Sequence, residues 1–330
     1  MEMTVPIIIQ TRNLTKHYGK NRGIENLNLE VRKGEIFGFL GPNGAGKTTT
    51  IRLLLNLIHA TSGEATILGH NIQTESEVIR ERVAYLPGEL GIFKDWTARR
   101  TLSYLFKLYD RPVKWEKVET LARILKLDLR KKTRELSRGN KQKIGIISVL
   151  VPDVELLILD EPTSGLDPLV DKEFYKLLLE KQVASGCTVF LSSHQLEEVE
   201  KIVHRVGIIR QGTLVEVATV TQLKRLALKH VEMSFASPSE AKALAKLPKE
   251  FVKNLIVEGC NAKFLTKREE LPLLLPQLDD ISFKDINIRD STLEDIFLEY
   301  YGAEDNRKPL DSEKRNESTL RPRKAKWKVS

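Results

Sequence analysis

The sequence predicts an α/β protein over about its first 225 residues, followed by a smaller α/β unit. Short apolar runs typical of buried strands alternate there with longer amphipathic stretches typical of helices. A glycine-rich segment, GPNGAGKT, separates one such strand from the helix that follows it. The pattern changes near residue 230, where the sequence predicts the element order β-α-β-β-α-β.

The composition indicates a chain that can bury a substantial core. It has 330 residues, of which 41% are hydrophobic and 30% are charged, and its formal net charge is +8. The mean hydropathy is -0.27, and no apolar run reaches the length of about 20 residues that a membrane helix requires. These values predict a soluble protein, and the start MEMTVPIIIQ lacks the basic region of a signal peptide. Two cysteines without metal-ligand spacing, Cys187 and Cys260, predict a reducing compartment.

The predicted elements of the first unit, residues 1–225, follow in chain order. The predicted strands are residues 7–18, 23–31, 35–41, 155–161 and 188–194. The predicted helices are residues 47–58, 98–110, 116–127 and 171–185. Because helix formers are concentrated between residues 90 and 150, we expect a helical subdomain in that part of the chain.

The second unit, residues 226–303, is predicted to be ferredoxin-like. Its predicted strands are residues 231–235, 252–259, 262–267 and 281–288, and its predicted helices are residues 238–247, 268–278 and 291–301. Residues 304–330 lose all periodicity, contain prolines and end in RPRKAKWKVS. We therefore expect a disordered basic tail after the second unit.

The segment Gly41–Thr48 matches the pattern G-x-x-x-x-G-K-[ST] in full and lies between a predicted strand and a predicted helix. The backbone N–H groups of such a loop, with the helix N-terminus, surround nucleotide phosphates. We expect Lys47 to reach the β- and γ-phosphates and Thr48 to bind Mg²⁺. A glycine-rich turn is the alternative, but the flanking elements favour phosphate binding. The expected phosphate-binding residues are Gly41, Pro42, Asn43, Gly44, Ala45, Gly46, Lys47, Thr48 and Thr49.

The segment LLILDE places two carboxylates, Asp160 and Glu161, at the end of a predicted buried strand. A carboxylate at this point can hold Mg²⁺ through water, so Asp160 is the second expected metal ligand. Glu161 is the natural general base, because it can align a water with the γ-phosphate. An acidic turn after a strand is the alternative, but the phosphate loop earlier in the sequence favours the catalytic interpretation.

Two further motifs and two single residues resemble those of the ABC ATPases, a family of P-loop NTPases. LSRGN (residues 136–140) resembles the LSGGQ signature, and EPTSGLD (residues 161–167) resembles the D-loop. His194 is similar in position to the switch histidine of this family, and Tyr18 is similar to the aromatic residue that stacks on adenine. A lone histidine or tyrosine is more often structural, but here the order and spacing of the motifs favour the resemblance. It covers about residues 6–225.

This resemblance implies an ATPase that works as a head-to-tail dimer, either with a second copy or with a similar subunit. Ser137 and Gly139 of one subunit would bind the γ-phosphate of ATP held by the other, and Asp167 would contribute to the same site. Lys47, Glu161 and His194 would be the catalytic residues. The dimer would drive a separate integral-membrane permease, which places the protein in the cytoplasm, peripheral on the cell membrane.

The sequence departs from the family pattern at several positions. Arg138 and Asn140 replace Gly and Gln in the signature, although Ser137 remains. Gly88 stands where the family has a glutamine that touches Mg²⁺ and the attacking water, and Glu89 follows it. Glu89 is therefore a candidate to replace the missing side chain.

The resemblance also suggests a partner and a direction of transport. Residues 90–110 would contact the permease, with Phe93 and Trp96 at the interface and the other apolar side chains in a core. Residues 291–301 resemble the ends of ATPases from drug- and antibiotic-exporting systems, and an ordinary capping helix is the alternative. The basic tail could contact anionic lipid, or it could be a solvated segment without function.

Two other interpretations remain open. A soluble ABC ATPase acting on ribosomes or nucleic acid fits the positive net charge, but the sequence lacks the second ATPase domain or coiled coil common in such proteins. A regulatory module without activity fits Gly88 only, because Lys47, Asp160, Glu161 and His194 are all present. We therefore expect an ABC exporter ATPase with no specific nucleic acid partner.

Overall fold

The computed structural model describes residues 5–109, 113–226, 228–278, 281–293 and 295–296. The predicted disordered tail lies outside these residues, as does most of the predicted helix 291–301. In the described part of the chain, no helix combines the length and the apolar character needed to cross a membrane.

Strands and helices are interspersed through residues 7–226. In chain order the elements are β1 (Ile7–Tyr18), β2 (Asn21–Arg32), β3 (Ile36–Leu40), α1 (Lys47–Leu54), β4 (Ser62–Ile67), β5 (His70–Asn71), α2 (Ser76–Arg82), β6 (Val83–Leu86), α3 (Ala98–Phe106), α4 (Trp115–Ile124), α5 (Arg138–Leu150), β7 (Leu156–Asp160), α6 (Pro168–Ser185), β8 (Thr188–Ser193), α7 (Leu196–Glu200), β9 (Arg205–Arg210), β10 (Thr213–Thr219) and α8 (Val220–Leu226).

Two sheets organise these strands. The larger sheet has the order β10-β9-β3-β8-β7-β6 and is parallel except for β10. The smaller sheet has the order β2-β1-β4-β5 and is antiparallel. Because β3, β7 and β8 are neighbours and run in the same direction, the loops that follow them lie at one edge of the larger sheet. Ligands of open α/β sheets bind at this carboxyl edge.

The larger sheet has a hydrophobic core on each face. Side chains alternate across a strand, so Phe37 and Phe39 of β3 point to one face while Ile36 and Leu40 point to the other. On the first face Phe190 packs against Phe37 and Phe39, with ring centroids 5.9 and 5.3 Å away, and the smaller sheet completes this core. On the second face α5 packs against the sheet, and α3, α4 and α6 pack against α5 in the same hydrophobic cluster. Burial on both faces explains why these parallel strands are almost entirely apolar.

A third sheet lies in the C-terminal part of the chain and has its own core. Its elements are β11 (Lys229–Ser234), α9 (Pro238–Ala243), β12 (Lys253–Glu258), β13 (Asn261–Thr266), α10 (Leu271–Leu274) and β14 (Asp285–Asp290). The four strands are antiparallel in the order β12-β13-β11-β14. Val231, Met233 and Phe264 are among the side chains that fill the core between this sheet and its helices.

Several predicted elements differ from those observed. The predicted helix 268–278 is instead the four-residue α10 between two 3-10 turns, because Pro272 and Pro276 lack the N–H that a helix interior needs. The predicted helix 47–58 ends at Leu54, just before Asn56 adopts a left-handed φ of 52°. The predicted strand 281–288 starts only at Asp285.

Candidate active site

The glycine-rich loop connects β3 to α1. Gly46 immediately precedes α1 with a φ of 110°, and a Cβ at this position would lie 2.9 Å from the carbonyl oxygen of Gly23. Glycine is therefore required both by the backbone conformation and by the close approach of a neighbouring strand. Among the residues that the structure describes, no side chain caps the N-terminus of α1, so the N–H groups of its first turn are available to bind an anion.

Lys47, the first residue of α1, extends back across this loop. Its side chain is only 5% exposed, and its Nζ donates to the carbonyl oxygens of Gly41 at 2.5 Å and Pro42 at 3.1 Å. The same Nζ lies 3.1 Å from Oε1 of Glu161. A buried ammonium group needs such partners, because an unpaired charge in the interior is costly. The lysine and the expected base are thus brought together by the ends of β3 and β7.

Asp160 ends β7 and is 2% exposed. Ser192 of the neighbouring strand β8 donates from Oγ to Oδ1 of Asp160 at 2.6 Å, and its Oγ accepts from the backbone N–H of Glu161 at 3.1 Å. Ser192 was not among the residues predicted from sequence. The only signal was a pair of serines at the end of an otherwise apolar strand, and its pairing with Asp160 depends on the strand order.

Glu161 lies between Lys47 and His194. Its Oε2 is 2.5 Å from Nδ1 of His194, and among the described residues its buried Oε1 accepts no hydrogen bond, although Lys47 is close. The backbone of Glu161 has a φ of 48°. A left-handed conformation at a residue other than glycine is strained and is common at functional sites. The carboxylate of Glu161 therefore lies between the ammonium group of Lys47 and the imidazole of His194.

Tyr85 of β6 is a half-buried neighbour of Asp160. Burial raises the pKa of Tyr85 to about 12, and the nearby carboxylate of Asp160 adds to this rise. A group with this pKa is protonated at neutral pH. The tyrosine therefore adds no negative charge beside Asp160.

Gly88 follows β6 and faces both acidic residues. A Cβ at this position would lie 3.4 Å from the carbonyl oxygen of Asp160 and 3.9 Å from the Cβ of Glu161. These are ordinary contact distances, so a side chain would fit at position 88 and would be adjacent to the carboxylates. Glu89, the next residue, is exposed. The loop thus lies where the resemblance places a water-binding side chain, but its glycine provides none.

Thr48, Thr49 and Tyr18 lie around the N-terminus of α1. The two threonines are in its first turn and are half-buried. Gly23 lies between Tyr18 and Thr49. A Cβ built on Gly23 would lie 2.9 Å from the ring of Tyr18 and 3.2 Å from Cγ2 of Thr49. Tyr18 is 47% exposed, with Nζ of Lys16 5.3 Å from its ring centroid. An aromatic surface therefore stands beside the phosphate loop.

The signature segment contacts the loop that follows β7. Ser137 is the N-cap of α5, and its side chain accepts from the N–H of Asn140. Arg138 donates to Oγ of Ser164 at 3.1 Å, and a Cβ on Gly139 would lie 2.5 Å from the carbonyl oxygen of Gly165. Only glycine at position 139 permits this approach. The structure thus brings Arg138 and Gly139 next to the loop that ends at Asp167, with Ser137 at the start of the same helix.

Asp167 and Gln142 hold the two ends of that loop. Asp167 is the N-cap of α6 and accepts from the N–H of Val170 at 3.1 Å. Gln142 of α5 is buried and donates to the carbonyl oxygen of Pro162 at 2.9 Å. Gln142 was not among the residues predicted from sequence, because it lies between Lys141 and Lys143 in a polar run that gives no sign of its burial.

The oxygen donors at this edge of the sheet fit Mg²⁺ bound with nucleotide phosphates. Within the described ranges, no group of three His, Cys, Asp or Glu side chains could hold a metal ion without other ligands. Mg²⁺ usually binds through one or two protein oxygens, with waters and substrate phosphates as the other ligands. The hydroxyl of Thr48 and the carboxylate of Asp160 are donors of this kind.

Comparisons with known proteins agree with this geometry. A family model described as ABC transporter matches residues 24–164. The bacitracin transport ATP-binding protein BcrA of Bacillus licheniformis is 40% identical over 238 residues, which are 72% of this chain and 78% of BcrA. The ABC transporter ATP-binding protein YcbN of Bacillus subtilis is 31% identical over 297 residues, or 88% of this chain and 96% of YcbN.

A solved structure of the ATP binding subunit of an ABC transporter has a TM-score of 0.61 and 26% sequence identity, covering 66% of this chain and 92% of the other. The relatives and this structure confirm the family resemblance and the α/β fold of an ABC-type P-loop ATPase. The chain therefore belongs to the ABC transporter family, as a subunit that binds and hydrolyses ATP.

Proposed function

We propose that this subunit hydrolyses ATP, with a second ATPase subunit, to drive export of a substrate through a separate membrane permease. The observation that supports it best is the arrangement of Lys47, Glu161 and His194 beside the phosphate loop. Relatives named for bacitracin transport and linearmycin resistance support a drug or antibiotic as the substrate. The protein then works in the cytoplasm, at the inner face of the membrane.

ATP binds with its phosphates in the glycine-rich loop. The N–H groups of Gly44, Gly46 and the first turn of α1 donate to phosphate oxygens, and Tyr18 stacks on the adenine. Lys47 exchanges the carbonyls of Gly41 and Pro42 for the β- and γ-phosphates. The other loop residues, Asn43, Ala45 and Thr49, contribute backbone and side-chain contacts.

Thr48 and Asp160 hold Mg²⁺ together with the phosphates. When bound, the ion neutralises charge that develops on the phosphate oxygens. The hydrogen bond from Ser192 orients the carboxylate of Asp160 for this role.

Glu161 is the general base for hydrolysis. When Lys47 binds phosphate, it leaves Glu161, and the carboxylate becomes free to take a proton from the attacking water. His194 lies within hydrogen-bond distance of Glu161 and holds its orientation, and we expect its imidazole to contact the γ-phosphate when ATP is bound. Arrival of the phosphates therefore activates the base.

The second half of each site comes from the other subunit of the dimer. Ser137 and Gly139 lie at the N-terminus of α5, where free backbone N–H groups suit a γ-phosphate. Asp167 lies at the far end of the loop that contacts this turn. The dimer is a homodimer or a heterodimer with a similar subunit.

Glu89 contacts Mg²⁺ and the attacking water, a role that Gly88 cannot perform because it has no side chain. We expect Glu89→Ala to lower ATP turnover more than ATP affinity, because the change affects the attacking water and leaves the phosphate loop intact. Steady-state kinetics and nucleotide titration measure the two effects separately. Glu81→Ala, which removes an exposed acidic residue from α2, is the control. Unchanged turnover would remove Glu89 from the mechanism.

The other parts of the chain have accessory roles. Residues 1–225 form the ATPase domain, with a helical subdomain at about residues 90–150, and residues 226–303 form a ferredoxin-like accessory domain. Its separate sheet and core support this division. The basic tail, residues 304–330, contacts anionic lipid.

The permease docks in a groove of the helical subdomain. The groove has a volume of about 560 Å³ and is lined by Trp96, Thr97, Arg99, Arg100, Ser103, Tyr104, Lys107 and Trp115. Phe93 beside it is 57% exposed, with its ring centroid 4.3 Å from that of Trp96. Tyr104 was expected in the core but is exposed, whereas Phe106 is buried. Exposed aromatic side chains suit a protein interface.

Co-purification tests the transporter function. We expect Glu161→Gln, tagged and extracted in mild detergent with ATP, to carry a polytopic membrane protein, because its dimer stays closed on ATP. Adding Arg100→Glu should abolish this association by reversing a charge in the groove. Arg123→Glu, an exposed change on α4 outside the groove, is the control and should keep the association. Ribosomes or nucleic acid without a membrane protein would instead favour the soluble ABC ATPase.

A further inference from the structure

The short helix α7 connects the active site to the C-terminal part of the chain. It begins two residues after His194, and its buried side chains include Leu196 and Val199. These residues share one hydrophobic cluster with Leu293 and Ile296, which follow β14. The segment that follows β14 therefore packs on α7, the helix that begins two residues after His194.

Glu200, the last residue of α7, adds polar contacts to the apolar contact between α7 and the residues that follow β14. Its Oε2 accepts from the backbone N–H of Leu293 at 2.9 Å, and its Oε1 forms an ion pair with Nζ of Lys224 on α8. The side chain of Glu200 is only 14% exposed. A carboxylate so buried needs both partners, so α7, α8 and the C-terminal segment (residues 291–293 and 295–296) are held in one arrangement.

The C-terminal segment is itself anchored to the third sheet. Oδ2 of Asp295 accepts from the N–H of Thr292 at 2.8 Å and from Arg289 of β14 at 2.6 Å. Ser291 donates to the carbonyl oxygen of Leu228, just before β11. The backbone N–H of Leu293, which donates to Glu200, therefore belongs to a segment that is anchored to the third sheet by hydrogen bonds.

We propose that Glu200 is a positioning residue for ATP hydrolysis. By fastening the end of α7 to the C-terminal segment, it fixes the start of α7 and with it the imidazole of His194 against Glu161. Because α7 is only about one and a half turns long, a movement of its end at Glu200 also moves its start, and with it the backbone of His194. This inference rests on the proposed role of His194 in hydrolysis.

The test compares full-length variants at saturating and limiting ATP. Since a 1 Å misplacement of a catalytic group can cost about 10²-fold in rate, we expect Glu200→Ala to lower kcat by about tenfold while the KM for ATP changes by less than about twofold. Glu200→Gln should recover part of kcat, because its amide oxygen still accepts from Leu293. Glu197→Ala, an exposed change on the same helix, is the matched control and should leave kcat unchanged.

A double variant separates positioning from general destabilisation. If Glu200 acts through His194, Glu200→Ala should lower kcat in the wild-type background and have no further effect in a His194→Ala background. Leu293→Pro, which removes the backbone N–H that donates to Glu200, should reproduce the loss of kcat from the opposite side of the contact. Unchanged kcat in Glu200→Ala, or effects that add to those of His194→Ala, would overturn the inference.

The same series distinguishes failure of the inference from failure of the proposed function. If His194→Ala keeps normal turnover, the proposed role of His194 is wrong, and a fall in kcat for Glu200→Ala must then arise by another route. If His194→Ala abolishes turnover but Glu200→Ala does not lower it, only the positioning role of Glu200 is wrong. Should Glu200→Ala unfold, Leu293→Pro replaces it in the cycle, because it removes the same hydrogen bond and leaves the ion pair of Glu200 with Lys224.

Discussion

Glu161→Gln is expected to reduce ATP turnover by about 10²- to 10⁴-fold, because loss of a positioned general base typically costs this much in rate. ATP binding should persist, since the phosphate loop and Lys47 are unchanged. The glutamine keeps the size of the side chain, and its carbonyl oxygen can still contact His194. A phosphate-release assay measures turnover, and gel filtration with labelled ATP measures nucleotide retention and dimer formation.

The control for this experiment is a second Glu→Gln change away from the site. Glu81→Gln removes one exposed carboxylate from α2 and should leave turnover unchanged. Normal turnover by Glu161→Gln would contradict the assignment of the base. Loss of both turnover and ATP retention would instead assign Glu161 a role in binding.

Lys47→Met is expected to weaken ATP binding itself. Methionine preserves most of the length of the side chain but removes the ammonium group that contacts Gly41, Pro42 and Glu161. Because hydrogen bonds of charged groups contribute about 1.5–3 kcal/mol, we expect ATP affinity to fall by about 10- to 150-fold. Isothermal titration with ATP measures this change without relying on turnover.

A matched lysine elsewhere provides the comparison. Lys94→Met removes an exposed lysine that lies outside the phosphate loop, so ATP affinity should stay at the wild-type value. An affinity for Lys47→Met within about twofold of wild type would show that Lys47 serves Glu161 rather than phosphate, because a lost phosphate contact costs much more. Together with Glu161→Gln, this variant separates the binding step from the chemical step.

The site residues that depend on neighbouring residues in the sequence could be predicted, whereas those that depend on distant partners could not. GPNGAGKT contains its own strand end, glycines and helix start, so sequence alone identified the loop and placed Lys47 correctly at the start of α1. Asp160 and Glu161 were predicted as site residues because a buried apolar run ending in two acidic residues is a continuous pattern, and the structure confirms the buried strand that ends at Asp160. Ser192 and Gln142 escaped notice, since their partners Asp160 and Pro162 lie 32 and 20 residues away.

The smaller, antiparallel sheet could not be predicted from the sequence. Residues 7–18 and 23–31 were correctly expected as strands, yet nothing in their alternation indicated a separate antiparallel sheet that packs on Phe37, Phe39 and Phe190. Strand identity depends on local side-chain pattern, whereas strand partners depend on long-range packing. For the same reason, the contact of Leu293 with α7 had no signal in the sequence.

The sequence by itself determined that this chain has a phosphate loop, a strand ending in two carboxylates and the motif order of the ABC family. These features need only neighbouring residues, whose spacing and conformation are set within one loop or one strand. Only the tertiary structure decided that His194 meets Glu161, that Gly88 faces both carboxylates and that Glu200 joins α7 to the C-terminal segment. Those contacts depend on strand order and on the packing of distant helices, which no local pattern encodes.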